Sequence, residues 1–198
     1  MEKPAVTTID IHPLLKRRWS PRSFTDQMID NETLKRIFEA ARWSPSSSNE
    51  QPWRFVIGKK GSPTWDSIFD TLVDFNQKWA RLAPVLGISI GKTISSKSGK
   101  PSKIYKYDVG QSLAHITFQA MNEGIFVHQM GGFDPAKAAS LLKVPEGFEP
   151  VTSFAMGYKG DPTLLESNFE EMEKAERSRI SLEEMVFDDS FGHPPQWA

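Results

Sequence analysis

The chain has 198 residues, enough for one sizeable domain and short for two. Its 24 basic and 25 acidic side chains nearly balance, so charge gives no ground for a nucleic-acid partner; the absence of cysteine excludes disulfides, thiolate nucleophiles and cysteine metal sites. The first residues lack the apolar core of a secretory leader and no apolar run approaches the roughly 20 residues of a membrane span, so the expectation is a soluble, cytoplasmic protein with no membrane partner.

Asp10 predicts the cap of a short helix through Ile11, Pro13, Leu14 and Leu15, with proline in the first turn where it is tolerated. The segment that follows, up to Phe24, carries Lys16, Arg17, Arg18 and Arg22, interrupted by Ser20 and Ser23. Arginine forks beside serine hydroxyls suit a phosphate, but the same run also suits a solvated helix end whose cations complement its dipole. On this segment alone the solvated reading weighs more, because charge runs mostly face water.

Asp30 or Asn31 caps the next predicted helix, in which Leu34, Ile37, Phe38 and Ala41 recur at helical spacing. Between Pro45 and Pro52 lies a loop crowded with Ser46, Ser47, Ser48, Asn49 and Gln51, stiffened at both ends and suited to holding a polar ligand. A strand around Arg54 to Gly58 leaves it, and a turn at Gly61 to Pro63 leads to one helix from about Thr64 to Arg81, with Ile68, Leu72, Phe75 and Trp79 on one face. Val85 to Ile90 reads as a buried strand, and the polar stretch from Lys92 to Lys103 as a mobile surface loop of the kind that acts as a lid.

Asp108 and Gln111 are spaced as a capping pair for a helix through Glu123. Its apolar residues, among them Val109, Leu113, Ile116, Phe118 and Met121, cover more than one stripe, which points to a second burying surface such as another subunit. A strand over Ile125 to Gln129 runs straight into Gly131 and Gly132, after which Asp134 as cap and Pro135 as first residue predict a helix through Leu142. At that strand-to-helix turn, missing side chains allow a ligand to approach the backbone. Val151 to Met156 is a further strand. The stretch from Glu166 to Arg179 is mostly charged and ends in Arg177 and Arg179. The apolar patch of Leu182, Met185, Val186 and Phe187 then predicts an extension that docks on its own body or on a partner.

The histidines at 12, 115, 128 and 193 show no metal spacing, and His115 and His128 read as core or interface residues. No nucleophile elbow, phosphate loop or dinucleotide fingerprint is present. Chemistry therefore falls to a bound cofactor, anionic at one end.

Four pieces, Arg17-Arg-Trp-Ser-Pro-Arg-Ser-Phe24, Ser44-Pro-Ser-Ser-Ser-Asn-Glu-Gln-Pro-Trp-Arg-Phe55, Gly131-Gly-Phe-Asp134 and Arg177-Ser-Arg179, taken in order, resemble the nitroreductase family of FMN-dependent NAD(P)H oxidoreductases over nearly the whole chain. The resemblance implies an α+β fold with a mixed β-sheet flanked by helices, in one domain over residues 1–198. It implies an intertwined homodimer whose C-terminal arm, 165–198, is exchanged with the partner. It implies bound FMN, with NADH or NADPH as co-substrate and a nitro compound, quinone or related small acceptor, in a ping-pong hydride transfer through flavin N5.

Carried onto this sequence, the resemblance places Arg18, Ser20 and the backbone of Trp19 at the ribityl phosphate, with Arg177 and Arg179 completing that site, and counts Arg17 among the cofactor-binding residues. Arg22 would lie near the pyrimidine edge. Asn49, with the preceding serines such as Ser47, would hydrogen-bond the isoalloxazine or ribityl chain, and Gln51 would also be a cofactor-binding residue. Gly131 would offer its N–H toward N5, with Met130 and Gly132 beside it. No side chain is assigned as catalytic and no metal is implied. Gln129 stands where a proline is common, and the region from Trp65 to Lys103 is shorter than the helical insertion that shapes many nitroreductase pockets. Alternative readings are a flavin-binding protein without turnover, or a same-fold dehydrogenase, dehalogenase or flavin-fragmenting enzyme.

Overall fold

A computed structural model describes residues 2–197. Its strands are β1 (Trp53–Lys59), β2 (Val85–Lys92), β3 (Phe126–Met130) and β4 (Phe148–Gly157), in the order β1-β2-β4-β3. Its helices are α1 (Pro13–Arg17), α2 (Asn31–Arg42), α3 (Pro63–Phe69), α4 (Asp74–Ala80), α5 (Tyr105–Asn122), α6 (Pro135–Leu141) and α7 (Ser167–Lys174). The α+β class and the helix-flanked sheet are as expected. The strand directions are not: all three pairings among the described residues are antiparallel, where a mixed sheet was expected. Each neighbour of β2 runs against it, and β3 runs against β4, so one chain supplies no parallel pair.

Period-two alternation in the strands sorts the core into two layers. Leu86, Ile88, Ile90, Phe126, Met130 and Ala155 face one side, where Trp65, Ile68, Leu72 and Trp79 from the α3–α4 region and Trp19 cover them. Val85, Val127, Phe154 and Met156 face the other side, against Ile37 and Leu34 of α2 and Leu113, Ile116 and Ala120 of α5. Side chains as large as Trp79, Phe154 and Leu86 are fully buried, and each such burial contributes about 1.5–3 kcal/mol. The Phe154 ring lies across Gly87, where a Cβ would meet it at 2.2 Å, so the central strand pair closes only around a glycine.

Several local expectations change. The short first helix is capped by His12, whose Nδ1 accepts from the Leu14 N–H at 3.2 Å; Asp10 instead pairs with Lys16 at 2.5 Å. Asp30, not Asn31, caps α2 through the Thr33 N–H at 2.8 Å. Asp108 lies within the first turn of α5, not at its cap, and its buried carboxylate accepts from the Ser47 N–H at 3.3 Å.

The helix expected from Thr64 to Arg81 is broken into α3 and α4. Leu72 bridges to Phe133, the Val73 N–H donates to the Gly132 carbonyl at 3.1 Å, and the Asp134 N–H donates to the Thr71 carbonyl at 2.8 Å. The apolar spacing allows a continuous helix, but backbone bonds to the Gly131–Asp134 turn outcompete it.

After α7 the described chain forms neither helix nor strand. The start of the arm packs on its own body, with Leu165 and Phe169 in the core, whereas beyond α7 Val186 and Phe187 are half-buried, Met185 is 57% exposed and Phe191 is 92% exposed. No helix of the described residues is long and apolar enough to cross a membrane.

Candidate functional site

The segment after α1 and the segment after α7 meet to form a cationic pocket of about 220 Å³. Lys3, Arg18, Arg22, Arg177 and Arg179 line it with Ser20 and Trp19, and Glu176 is the one carboxylate in that lining. None of the five cations makes an ion pair to a carboxylate side chain among the described residues. Burial pushes the Arg18 guanidinium down from its ordinary pKa, and the positive charges of Arg177 and Arg179 push it further. Burial and Arg179 do the same to Arg177. Five cations gathered around one lining carboxylate, with none of them ion-paired among the described residues, form a receptor for an anion with several acceptor oxygens. Arg177 also holds the walls, donating to the Lys3 carbonyl at 2.7 Å and the Lys16 carbonyl at 3.1 Å.

Two residues outside the motifs, Glu173 and His128, fix the Ser20–Arg22 segment in place. Glu173 of α7 is buried, and its carboxylate accepts the Arg22 N–H at 2.9 and 3.1 Å and the Ser23 N–H at 3.2 Å. The Arg22 backbone is thereby anchored while its buried Nε has no hydrogen-bond partner among the described residues. His128 of β3 packs on the Trp79 ring, centroids 4.4 Å apart, and its Nδ1 lies 2.9 Å from the Pro21 carbonyl. A carbonyl only accepts, so Nδ1 carries the proton of a neutral ring. The Trp19 indole is buried edge-on to Phe126, which leaves its backbone as the part able to reach a ligand.

Burial lowers the His128 pKa from 6.5 to about 4. The unfolded chain therefore binds a proton that the folded chain refuses between these values. Stability is fully present above about pH 6.5 and falls toward pH 4, by at most about 1.4 kcal/mol per pH unit from this residue. Urea titrations at pH 7 and pH 5 should show a loss of stability that shrinks in His128→Gln. An equal loss in the variant would contradict the assignment.

The turn after β3 is braced from α4. The Asn76 amide donates to the Gly132 carbonyl at 3.0 Å, and a Cβ on Gly132 would meet Asn76 Nδ2 at 2.7 Å and Val73 Cγ2 at 2.9 Å. Around Gly131 a Cβ would meet nothing within 4 Å, and the Gly131 N–H has no acceptor among the described residues. The Met130 side chain is part of the core, so only its backbone is available at this turn. Gly132→Ala should cost about 1–3 kcal/mol through overpacking, whereas Gly131→Ala should melt like the parent. Thermal melts of the two variants, with equal midpoints as the contrary result, check this.

The Ser46–Gln51 loop lies elsewhere. Ser47, Ser48 and Glu50 line a separate pocket of about 120 Å³ with Asp108 and residues of the segment from Lys92 to Ile104. That pocket shares no lining residue with the arginine pocket. Asn49 and Gln51 are exposed and line neither. Arg17 is exposed at the end of α1 and does not line the arginine pocket either. The chain thus brings together Arg18, Trp19, Ser20, Arg22, Arg177 and Arg179, and sets Ser47, Asn49 and Gln51 apart from them.

A family model described as "Nitroreductase family" matches residues 15–84. A solved structure described as an oxidoreductase containing FMN is 34% identical, covers 95% of this chain and 96% of its own, and aligns with a TM-score of 0.89. A nitroreductase family protein from Clostridium difficile, 22% identical, shares the fold with a TM-score of 0.72 over 92% of this chain and 99% of its own. An uncharacterized 15.4 kDa protein of Mycolicibacterium smegmatis is 28% identical over 148 residues, 71% of this chain and 99% of that protein. The nitrobenzene nitroreductase of Ectopseudomonas oleovorans is 48% identical over 47 residues, 24% of this chain and 21% of that enzyme. The match thus spans about a fifth of that enzyme's length.

Proposed function

The chain belongs to the nitroreductase family, and on that premise we propose that it is an FMN-dependent oxidoreductase that uses NADH or NADPH to reduce a small acceptor such as a nitro compound or quinone. The observation that carries the reading is the cluster of Arg18, Arg177 and Arg179, which form no ion pair to a carboxylate among the described residues. A phosphate dianion fits that donor set, and the unpartnered Arg22 Nε and Gly131 N–H fit a ligand with further acceptors. When bound, FMN supplies hydride transfer between a nicotinamide and an acceptor.

In this reading Arg18, Arg177 and Arg179, with Ser20 and the backbone of Trp19, hold the phosphate. Arg22 stands at the pyrimidine edge, where a fixed cation favours a ring that has gained negative charge. The Gly131 N–H is offered to N5, and the missing side chain leaves that approach open. Asn49, Ser47 and Gln51 bond the ring or the ribityl chain. Because these three lie apart from the arginine pocket of their own chain, we assign them to the site of a second copy in an intertwined homodimer. Leu165 and Phe169, at the start of the arm 165–198, pack in the chain's own core, and the exposed Ile180, Met185 and Phe191 beyond α7 support that later part of the arm lying on the partner. Deleting the residues after Arg179 should shift the protein toward monomer in sedimentation at micromolar concentration. A truncated protein that stays dimeric under dilution would contradict the exchange.

The expected setting is the cytoplasm. Nicotinamide and acceptor would take turns in one site, so initial rates of NAD(P)H oxidation should give parallel double-reciprocal lines as a nitroaromatic or a quinone is varied. Intersecting lines would contradict alternate occupancy. Bound FMN that neither nicotinamide reduces would instead mark a flavin-binding protein without turnover.

A further inference from the structure

The loop that carries Asn49 holds unfavourable backbone. Ser48, Asn49 and Gln51 have φ of 51°, 56° and 49°, in the left-handed region. Asparagine visits that region readily, but serine and glutamine do not, so the surroundings must over-determine the shape. From inside the loop, the Gln51 N–H donates to Ser46 Oγ at 3.0 Å. From outside, Glu50 does most of the holding. Its carboxylate accepts from Ser95 Oγ at 2.6 Å, the Ser96 N–H at 2.9 Å and the Lys97 N–H at 3.3 Å. In return the Lys97 ammonium donates to the Ser48 carbonyl.

The receiving turn is itself preformed. The Ser95 N–H donates to the Lys100 carbonyl at 2.9 Å, the Gly99 N–H to the Ser95 carbonyl at 3.0 Å, and the Lys97 and Ser98 N–H groups to Ser95 Oγ at 3.2 Å. Successive N–H groups arranged in this way make a small anion-binding concavity, and the anion seated in it is the Glu50 carboxylate. The hydrogen bonds from Ser95, Ser96 and Lys97 lower the Glu50 pKa, as expected for a seated anion.

We propose that Glu50 is a positioning residue for flavin binding: by seating its carboxylate in the Ser95–Lys97 turn it holds the Ser47–Gln51 loop in the left-handed shape that presents Asn49 and Gln51 to the cofactor. The stretch from Lys92 to Lys103, expected as a mobile lid, is in this account a brace for the cofactor loop. The inference rests on the FMN reading above and adds a residue to it.

FMN titration into the flavin-free protein, followed by quenching of flavin fluorescence, tests this in the parent, Glu50→Gln, Ser95→Ala and the double variant. Each single change should weaken FMN by about ten-fold, the scale of a lost charge-assisted hydrogen bond. The double variant should be no weaker than the weaker single, because both changes break the same contact. The flavin-free melting temperature should stay near the parent's in all three, since the contact joins two surface loops. Parental FMN affinity in Glu50→Gln, or fully additive losses, would overturn the positioning role. A parent that binds no FMN would overturn the functional reading itself, which separates the two failures.

Discussion

Arg18→Ala should release FMN while leaving the fold intact. The backbone of Arg18 caps α1, its N–H donating to the Leu14 carbonyl at 3.0 Å, and alanine keeps that bond. Among the described residues the guanidinium makes no ion pair, and it sits half-buried beside Arg177 and Arg179, whose charges disfavour its own. Removing it relieves repulsion in the flavin-free protein, so the melting temperature should hold or rise. In the loaded protein the same change deletes hydrogen bonds to a dianion, worth roughly 1.5–3 kcal/mol, or a ten- to hundred-fold loss of affinity. Lysine keeps the charge but not the planar fork and should restore only part of the loss. Flavin retained after dialysis, read beside the melt, is the check. Undiminished occupancy in the alanine variant would show that the phosphate lies elsewhere.

Glu173→Ala should have the opposite signature, a large loss of stability together with weaker flavin binding. Glu173 is 1% exposed, and its carboxylate accepts the N–H groups of both Arg22 and Ser23. The same residue's carbonyl accepts from the Lys3 ammonium at 2.7 Å, so one turn of α7 gathers the N-terminal segment, the Arg22 segment and the start of the arm. Alanine leaves two N–H groups without an acceptor in a buried place, a loss of about 3 kcal/mol. For a chain of this size that corresponds to a fall of roughly 6–12 °C in melting temperature. Freed from its anchor, the Arg22 backbone no longer aims its guanidinium, and FMN affinity should fall with stability. A melt unchanged within a degree or two would contradict this account of α7.

What the sequence disclosed was mostly local. Asp30 and the Asp134–Pro135 pair cap the helices they announce, because a capping side chain bonds within three residues of itself. Val85 to Ile90 is a buried central strand, and its apolar run says so without tertiary information. The break between α3 and α4 was hidden, because Leu72 and Phe75 keep helical spacing and the competing partner, the Gly132 carbonyl, is sixty residues away in the chain by approximate count. Asp108 looked like a cap for a similar reason, since its acceptor role toward Ser47 is a tertiary contact.

The site divides along the same line. The arginines, the serine-rich loop and the double glycine were legible as motifs, and the chain does gather Arg18, Arg22, Arg177 and Arg179 into one pocket. Their supports were not. Glu173 sits in a mostly charged stretch that reads as a solvated face, and only its burial distinguishes it from Glu170 or Glu171. His128 reads as a core or interface histidine, which its packing on Trp79 bears out but which omits the bond to the Pro21 carbonyl. Glu50 carries no local signal inside the serine-rich loop, because its partners lie some forty-five residues on, in a segment whose polar composition reads as a lid.

The central claim is that this chain holds FMN and lets a nicotinamide reduce it. The most direct measurement is the visible absorption spectrum of the purified, FMN-reconstituted protein before and after anaerobic addition of NADPH or NADH. The account predicts a protein-bound flavin band that survives desalting, bleaches when the nicotinamide is added, and returns when a quinone or nitro acceptor follows. A colourless protein after desalting, or a flavin band that neither nicotinamide bleaches, would contradict it.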